Sequence, residues 1–124
     1  MKEFSISYSE AFGVYKIHCT INHALGTCLL IPPGKDDDTQ HYIACLFTSY
    51  GYGKYKDHPD KILRSTESAI MDLVTCIEKH NLESRNIVMC KINSGLFNVP
   101  WDDTKSVIES IPLCRSINIT CYYP

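Results

Sequence analysis

The sequence has no Cys-x-x-Cys pair, no Gly-x-Ser-x-Gly elbow, no large surplus of either charge and no apolar run approaching the length of a membrane span. Each absence removes a class of function. A formal net charge of -2 leaves no general cationic field to gather nucleic acid, so no nucleic-acid partner is expected. Without a span-length run, no membrane partner is expected. Met1-Lys-Glu-Phe-Ser-Ile-Ser lacks the apolar centre of a signal peptide. An intracellular protein, cytoplasmic or nuclear, is the expectation. His18, His23, His41, His58 and His80 are scattered without ligand spacing, and Asp36, Asp37 and Asp38 are adjacent where calcium loops alternate their carboxylates. No metal and no cofactor is therefore expected.

What is present describes an ordinary globular chain. Its 124 residues are 44% hydrophobic and 21% charged, enough for one domain, residues 1–124, with a core that needs no staples. The cysteine count is seven, an odd number, which argues against a disulfide framework. Cys28, Cys45, Cys90 and Cys121 each lie in an apolar run and read as reduced, buried, small hydrophobes.

Apolar periodicity predicts a helix over residues 8–22, with Ala11, Phe12, Tyr15 and Cys19 on one face and Ser9 as its cap. Residues 26–31 form a short apolar strand stopped by Pro32-Pro33-Gly34, and 41–48 a second strand that could complete a hairpin. Ser49 to Asp57 is a Gly- and Tyr-rich loop. Tyr50, Tyr52 and Tyr55 with Lys54 and Lys56 read either as residues packed over the sheet edge, the favoured view, or as a small base-stacking platform. A long helix runs from Pro59 to about His80, its inner stripe being Ile62, Leu63, Thr66, Ala69, Ile70, Leu73, Val74 and Ile77. Residues 86–92 are apolar nearly throughout and read as a strand buried on both faces. Pro100 opens a helix to about Ile111, with Asp102 and Asp103 in its first turn and Val107, Ile108 and Ile111 inward, and 116–122 is a final strand. The order α-β-β-α-β-α-β indicates a layered α/β fold with a largely parallel core.

One constellation carries chemistry. A strand, a short loop with Ser94-Gly95 and a helix opened by proline place free backbone N–H groups at a strand's carboxyl end, where they can hold an anion. Gly95 lets a ligand approach the main chain, and Phe97 offers a flat apolar surface beside it. A phosphate joined to a ring is the ligand class this suits. Equally, the segment is a plain strand-to-helix connection with a turn glycine. Ser94 lacks the elbow of a hydrolase nucleophile.

The run Ile92-Asn93-Ser94-Gly95-Leu96-Phe97-Asn98-Val99-Pro100-Trp101 resembles the second phosphate loop of macro domains. It is most similar to the Ile-Asn-Ser-Gly-Ile-Phe-Gly-Val-Pro-Trp of fungal ADP-ribose 1″-phosphate phosphatases. Cys45-Leu46-Phe47-Thr48-Ser49 resembles the strand before that family's long helix, and Tyr8-Ser9-Glu10-Ala11-Phe12 with Tyr15 and Cys19 its first helix. The resemblance implies a three-layer α/β/α fold with a mixed sheet, N-terminally truncated here, since the family's first strand and first Gly-rich loop find no counterpart. It implies a ligand loop made of Asn93, Ser94, Gly95, Leu96, Phe97, Asn98 and Val99 that receives ADP-ribose or ADP-ribose 1″-phosphate, the latter a by-product of tRNA splicing. Phe97 would pack on the distal ribose. No catalytic base is identified. Three functions stay open: phosphomonoester hydrolysis of ADP-ribose 1″-phosphate, recognition of free or protein-linked ADP-ribose without turnover, and a fragment without ligand function. Asn98 stands where the family usually has glycine; asparagine tolerates positive φ better than other side chains do.

Overall fold

The computed structural model describes residues 9–21, 24–35, 41–50, 56–82, 85–95, 97–112 and 117–121. The expected turn at Asp36–Asp38, the capping by the Ser9 side chain, and His23, Tyr52, Lys54, Tyr55, Leu96 and Cys114 lie outside the described residues and side chains. Among the described residues, seven elements follow in the expected order: α1 (Ser9–Ile21), β1 (Cys28–Ile31), β2 (Ile43–Leu46), α2 (Pro59–Lys79), β3 (Asn86–Met89), α3 (Trp101–Ser110) and β4 (Asn118–Cys121).

The hairpin forms. β1 and β2 are antiparallel, with Cys28 opposite Leu46 and Ile31 opposite Ile43. Gly26 begins it at φ 78, donating its N–H to the Phe47 carbonyl at 2.7 Å. Its carbonyl accepts from Ser68 Oγ of α2 at 2.7 Å, and a Cβ there would lie 3.1 Å from that Oγ and 3.2 Å from Ser68 Cβ. Gly26→Ala thus combines a left-handed backbone with a crowded contact. It is expected to lower unfolding free energy by about 1–3 kcal/mol. Urea denaturation measures this, and a loss below a few tenths would show that α2 yields instead.

Strand alternation sends Cys28, Leu30, Ala44 and Leu46 to one face and Leu29, Ile31, Ile43 and Cys45 to the other. The first face packs on α2, with Cys28 and Leu46 against the core of Ile70, Leu73 and Ile77. The second meets α1, whose Tyr15 and His18 rings stack on Phe47 at centroid distances of 6.5 and 5.3 Å. Three layers therefore exist at this hairpin.

β3 and β4 pair in parallel, Ile87 opposite Ile119 and Met89 opposite Cys121. Here the sequence reading needs correction. β3 ends at Met89 rather than 92, and only one of its faces is covered: Ile87 and Met89 reach the core, whereas Val88 is 66% exposed and Cys90 is exposed. An apolar run says that a strand can be buried on both sides. Whether a second layer exists is decided elsewhere in the fold.

The described strands thus form two hydrogen-bonded pairs, one antiparallel and one parallel. The pairs lie side by side over α2. The Arg85 guanidinium sits 5.4 Å from the Tyr42 ring centroid, joining the starts of β2 and β3. Thr48 bonds Asn93, joining the segments that follow their ends. Starts near starts and ends near ends means that β2 and β3 run in the same direction.

α2 follows its sequence closely. The exposed His58 caps its start, Nδ1 accepting from Asp60 N at 3.3 Å. Its end is a left-handed cap at Asn81 (φ 56): Leu82 N donates to Ile77 O at 2.9 Å and Asn81 N to Glu78 O at 3.2 Å. The Tyr-rich loop is pinned at its base, where Tyr50 N donates to Asp57 Oδ2 and Asp57 N to Ser49 Oγ. Tyr50 is 81% exposed, so it does not pack over the sheet edge as expected.

Candidate functional site

After β3 the chain passes Cys90–Ile92 and turns at Asn93, which adopts φ 66 and points its carboxamide inward. Three buried threonines from three parts of the fold meet it. Thr48, beyond β2, donates to Asn93 Oδ1 at 2.9 Å, while Asn93 Nδ2 donates to Thr66 Oγ1 of α2 at 2.9 Å and to Thr104 Oγ1 of α3 at 3.3 Å. The orientation of the amide is fixed: Thr66 gives its own hydroxyl proton to the Ile62 carbonyl at 2.7 Å, so it can only accept from Asn93. Asn93, placed by sequence among the residues of the ligand loop, uses its side chain as a structural clamp. Both its amide donors are used inside the protein, and it serves the loop through its main chain. The clue was present in the threonines, since a hydroxyl on an apolar helical stripe needs a partner once buried.

The clamp holds a short ring of backbone. Val99 N donates to Asn93 O at 2.8 Å, and inside that closure Asn98 N donates to Gly95 O at 3.0 Å. Asn98 takes φ 54, so asparagine does adopt the left-handed conformation anticipated for it, with its side chain exposed. Val99 is fully buried and anchors the far side. Ser94 is exposed, its Oγ donating to the Lys91 carbonyl at 2.6 Å. Gly95 is exposed, and a Cβ there would meet nothing within 4 Å. The fold itself therefore does not require glycine at this position. Among the described residues, no acceptor takes the N–H of Ser94, Gly95 or Phe97.

Pro100 precedes α3 as its cap residue rather than as its first helical residue, its carbonyl accepting from Asp103 N and Thr104 N. Asp102 and Asp103 already face the positive end of that helix. Capacity for an anion thus rests on the loop N–H groups more than on the helix dipole.

Phe97 is half-buried and borders two cavities. The smaller, of about 380 Å³, is lined by Tyr15, Phe47, Thr48 and Phe97, so flat aromatic walls adjoin the loop through Phe97 and Thr48. Tyr15 and Phe47 were legible only as helix-face and strand residues. No spacing rule links residues so far apart in the chain. The larger cavity, of about 580 Å³, lies between β2 and β3.

Titratable groups around the smaller cavity are few. Cys45 lines it, but burial and then the neighbouring Cys19 push its thiol up to about 11. Burial, then Cys76, Asp72 and Cys45, push Cys28 up to about 12, and Asp72 Oδ2 also accepts from Cys28 N at 2.8 Å. Neither is a thiolate at neutral pH, so neither is a nucleophile. Cys90 is exposed, against the expectation that it is buried. Alkylation by iodoacetamide at pH 8 is expected to mark Cys90 well before Cys28 or Cys45, as mapped by peptide mass. Equal rates would contradict the burial. The sign of the pH effect follows: both folded thiols hold protons more tightly than unfolded ones, so their contribution to stability is complete below pH 9 and is lost as pH rises toward 11–12. His18 Nε2 is buried without a hydrogen-bond partner among the described residues. No group of three potential metal ligands occurs among the described residues, and no described helix is long and apolar enough to cross a membrane.

Comparison with known proteins agrees with this geometry. The macro domain family matches residues 8–108. The ADP-ribose 1″-phosphate phosphatase of Chaetomium globosum is 39% identical over 118 residues, covering 86% of this chain and 64% of the relative. That of Aspergillus oryzae is 46% identical over 91 residues, covering 68% and 45%, and that of Debaryomyces hansenii is 36% identical over 140 residues, covering 96% and 76%. The chain thus spans less than two thirds of the length of the first two. Among solved structures, the macrodomain of Mycobacterium tuberculosis DarG superposes with a TM-score of 0.70 at 19% identity, covering 98% of this chain and 76% of that one, which shows the shared fold. The strand–loop–helix at 93–101, the α/β layers around it and these matches lead to one assignment: the chain belongs to the macro domain family.

Proposed function

We propose that the loop of Asn93, Ser94, Gly95, Leu96, Phe97, Asn98 and Val99 binds a phosphate of ADP-ribose or of ADP-ribose 1″-phosphate, and that the chain takes part in removing the 1″-phosphate. The observation that carries this is the closed backbone ring between Asn93 and Val99, in which the N–H groups of Ser94 and Gly95 have no acceptor among the described residues. Such a ring suits an anion. The adjoining aromatic cavity suits a ring joined to it, with Phe97 packed on the distal ribose. The relatives named as ADP-ribose 1″-phosphate phosphatases support the same substrate.

A second reading, recognition of free or protein-linked ADP-ribose without turnover, is favoured by one specific feature. From Asn93 to Val99 the loop offers no acid and no imidazole, so it supplies no general base. Calorimetry with ADP-ribose and phosphate release from ADP-ribose 1″-phosphate separate the two. Saturable binding with release supports hydrolysis, and saturable binding without release supports recognition. Neither binding nor release would overturn the ligand assignment.

A further inference from the structure

We infer that the Asn98 carboxamide tells a phosphorylated distal ribose from a free one, by donating its amide hydrogens to the 1″-phosphate. The inference rests on the ligand reading above and adds one side chain to it. Asn98 is left-handed, at φ 54, and its side chain is exposed. Glycine adopts that conformation without strain, so an asparagine there carries a backbone cost that the fold does not require.

The fold makes no use of that side chain, and it uses the other polar ones in the loop. Asn93 Nδ2 donates to Thr66 and Thr104. Ser94 gives its hydroxyl proton to the Lys91 carbonyl. Gly95, Leu96, Phe97 and Val99 have no polar side-chain atom. Among the described residues, the Asn98 carboxamide has no hydrogen-bond partner within the protein. From Asn93 to Val99 it is therefore the one side chain with donor hydrogens still open to a ligand.

Position and chemistry select the target. Asn98 N donates to Gly95 O at 3.0 Å, which closes a tight turn and brings the two Cα atoms within about 7 Å. The preceding residue, Phe97, borders the aromatic cavity. With Phe97 against the distal ribose, the next side chain reaches the substituent on that ribose. A phosphomonoester there is anionic and offers acceptor oxygens. A hydrogen bond to such a charge is roughly twice as strong as one to a neutral hydroxyl. A lysine would attract any phosphate of the ligand from a distance. A neutral carboxamide acts only in contact, so it reads the group beside it.

The test is calorimetry with ADP-ribose and with ADP-ribose 1″-phosphate, read as the ratio of their two Kd values. Asn98→Gly is expected to reduce the preference for the phosphorylated ligand by about fivefold or more. Its melting transition stays in place or rises, because glycine suits φ 54. Asn98→Asp keeps the shape but sets a carboxylate against the phosphate, and is expected to reduce the preference further. Asn81→Gly is the control. Asn81 is also left-handed and exposed, but it lies about 20 Å beyond Thr66 along α2, so the preference is expected to stay unchanged. In the ¹⁵N-labelled chain, the Asn98 side-chain amide signal is expected to shift with ADP-ribose 1″-phosphate and much less with ADP-ribose.

An unchanged ratio in both Asn98 variants would overturn the inference and leave the loop assignment standing. So would an equal loss of both ligands, or an amide signal that responds to both alike. No binding of either ligand by the unaltered chain would overturn the ligand reading and this inference with it.

Discussion

Asn93→Ala is expected to lower the unfolding free energy by about 3–5 kcal/mol, a large fraction of the stability of a chain this size. Two effects add. The substitution removes three buried hydrogen bonds at once and leaves the hydroxyls of Thr48 and Thr104 without the partner that now binds them; a buried polar group stripped of its partner costs about 1–3 kcal/mol. It also forces alanine into φ 66, worth about 1–2 kcal/mol more. Asn93→Gly separates the two, because glycine keeps the backbone and loses only the bonds. Its expected loss lies below that of alanine by the conformational part. Urea denaturation of the three proteins measures both. A loss under about 1 kcal/mol for Asn93→Ala would mean that the three threonines find other partners and that the clamp is not what holds the loop.

Gly95→Glu is expected to leave stability within about 0.5 kcal/mol and to weaken ADP-ribose binding ten- to a hundredfold. The contrast with Asn93 is instructive, because the two residues are only two positions apart. Gly95 is exposed, has an ordinary φ, and would place a Cβ in open space, so the fold does not notice a side chain there. A ligand phosphate seated on the neighbouring N–H groups would notice one. At a protein surface two like charges about 4 Å apart repel by about 4 kcal/mol before salt screening. Gly95→Ala adds bulk without charge and is expected to lose less. Calorimetry beside a thermal melt reads both quantities. Unchanged affinity in Gly95→Glu would place the phosphate elsewhere and sink the loop assignment.

Much of the fold was legible along the chain because it rests on local physics. The stripe from Ile62 to Ile77 gave α2, and Pro59 and Asp60 its start. Asp102 and Asp103 gave the first turn of α3, and the short polar link gave the β1–β2 hairpin. The loop at 93–99 was legible through Ser94-Gly95 between a strand and a proline, and the left-handed Asn98 through the tolerance of asparagine for that conformation. Less legible were the roles of side chains within those elements. Val88 and Cys90 look as apolar as Ile87 and Met89, yet they lie on the uncovered face of β3. Asn93 read as one residue of the loop, and nothing local to it shows that its carboxamide turns inward to three threonines.

The sequence by itself determined the order and type of the elements and the place of the loop, because hydrophobic period, turn residues and helix ends act within a few residues of one another. Only the tertiary structure decided that Thr48, Thr66 and Thr104 converge on one carboxamide, that Tyr15 and Phe47 wall the cavity beside Phe97, and that β2 and β3 border one larger cavity. The three hydrogen bonds to that carboxamide alone join positions 11 to 45 residues apart. They arise from how layers stack on α2, which no local pattern encodes.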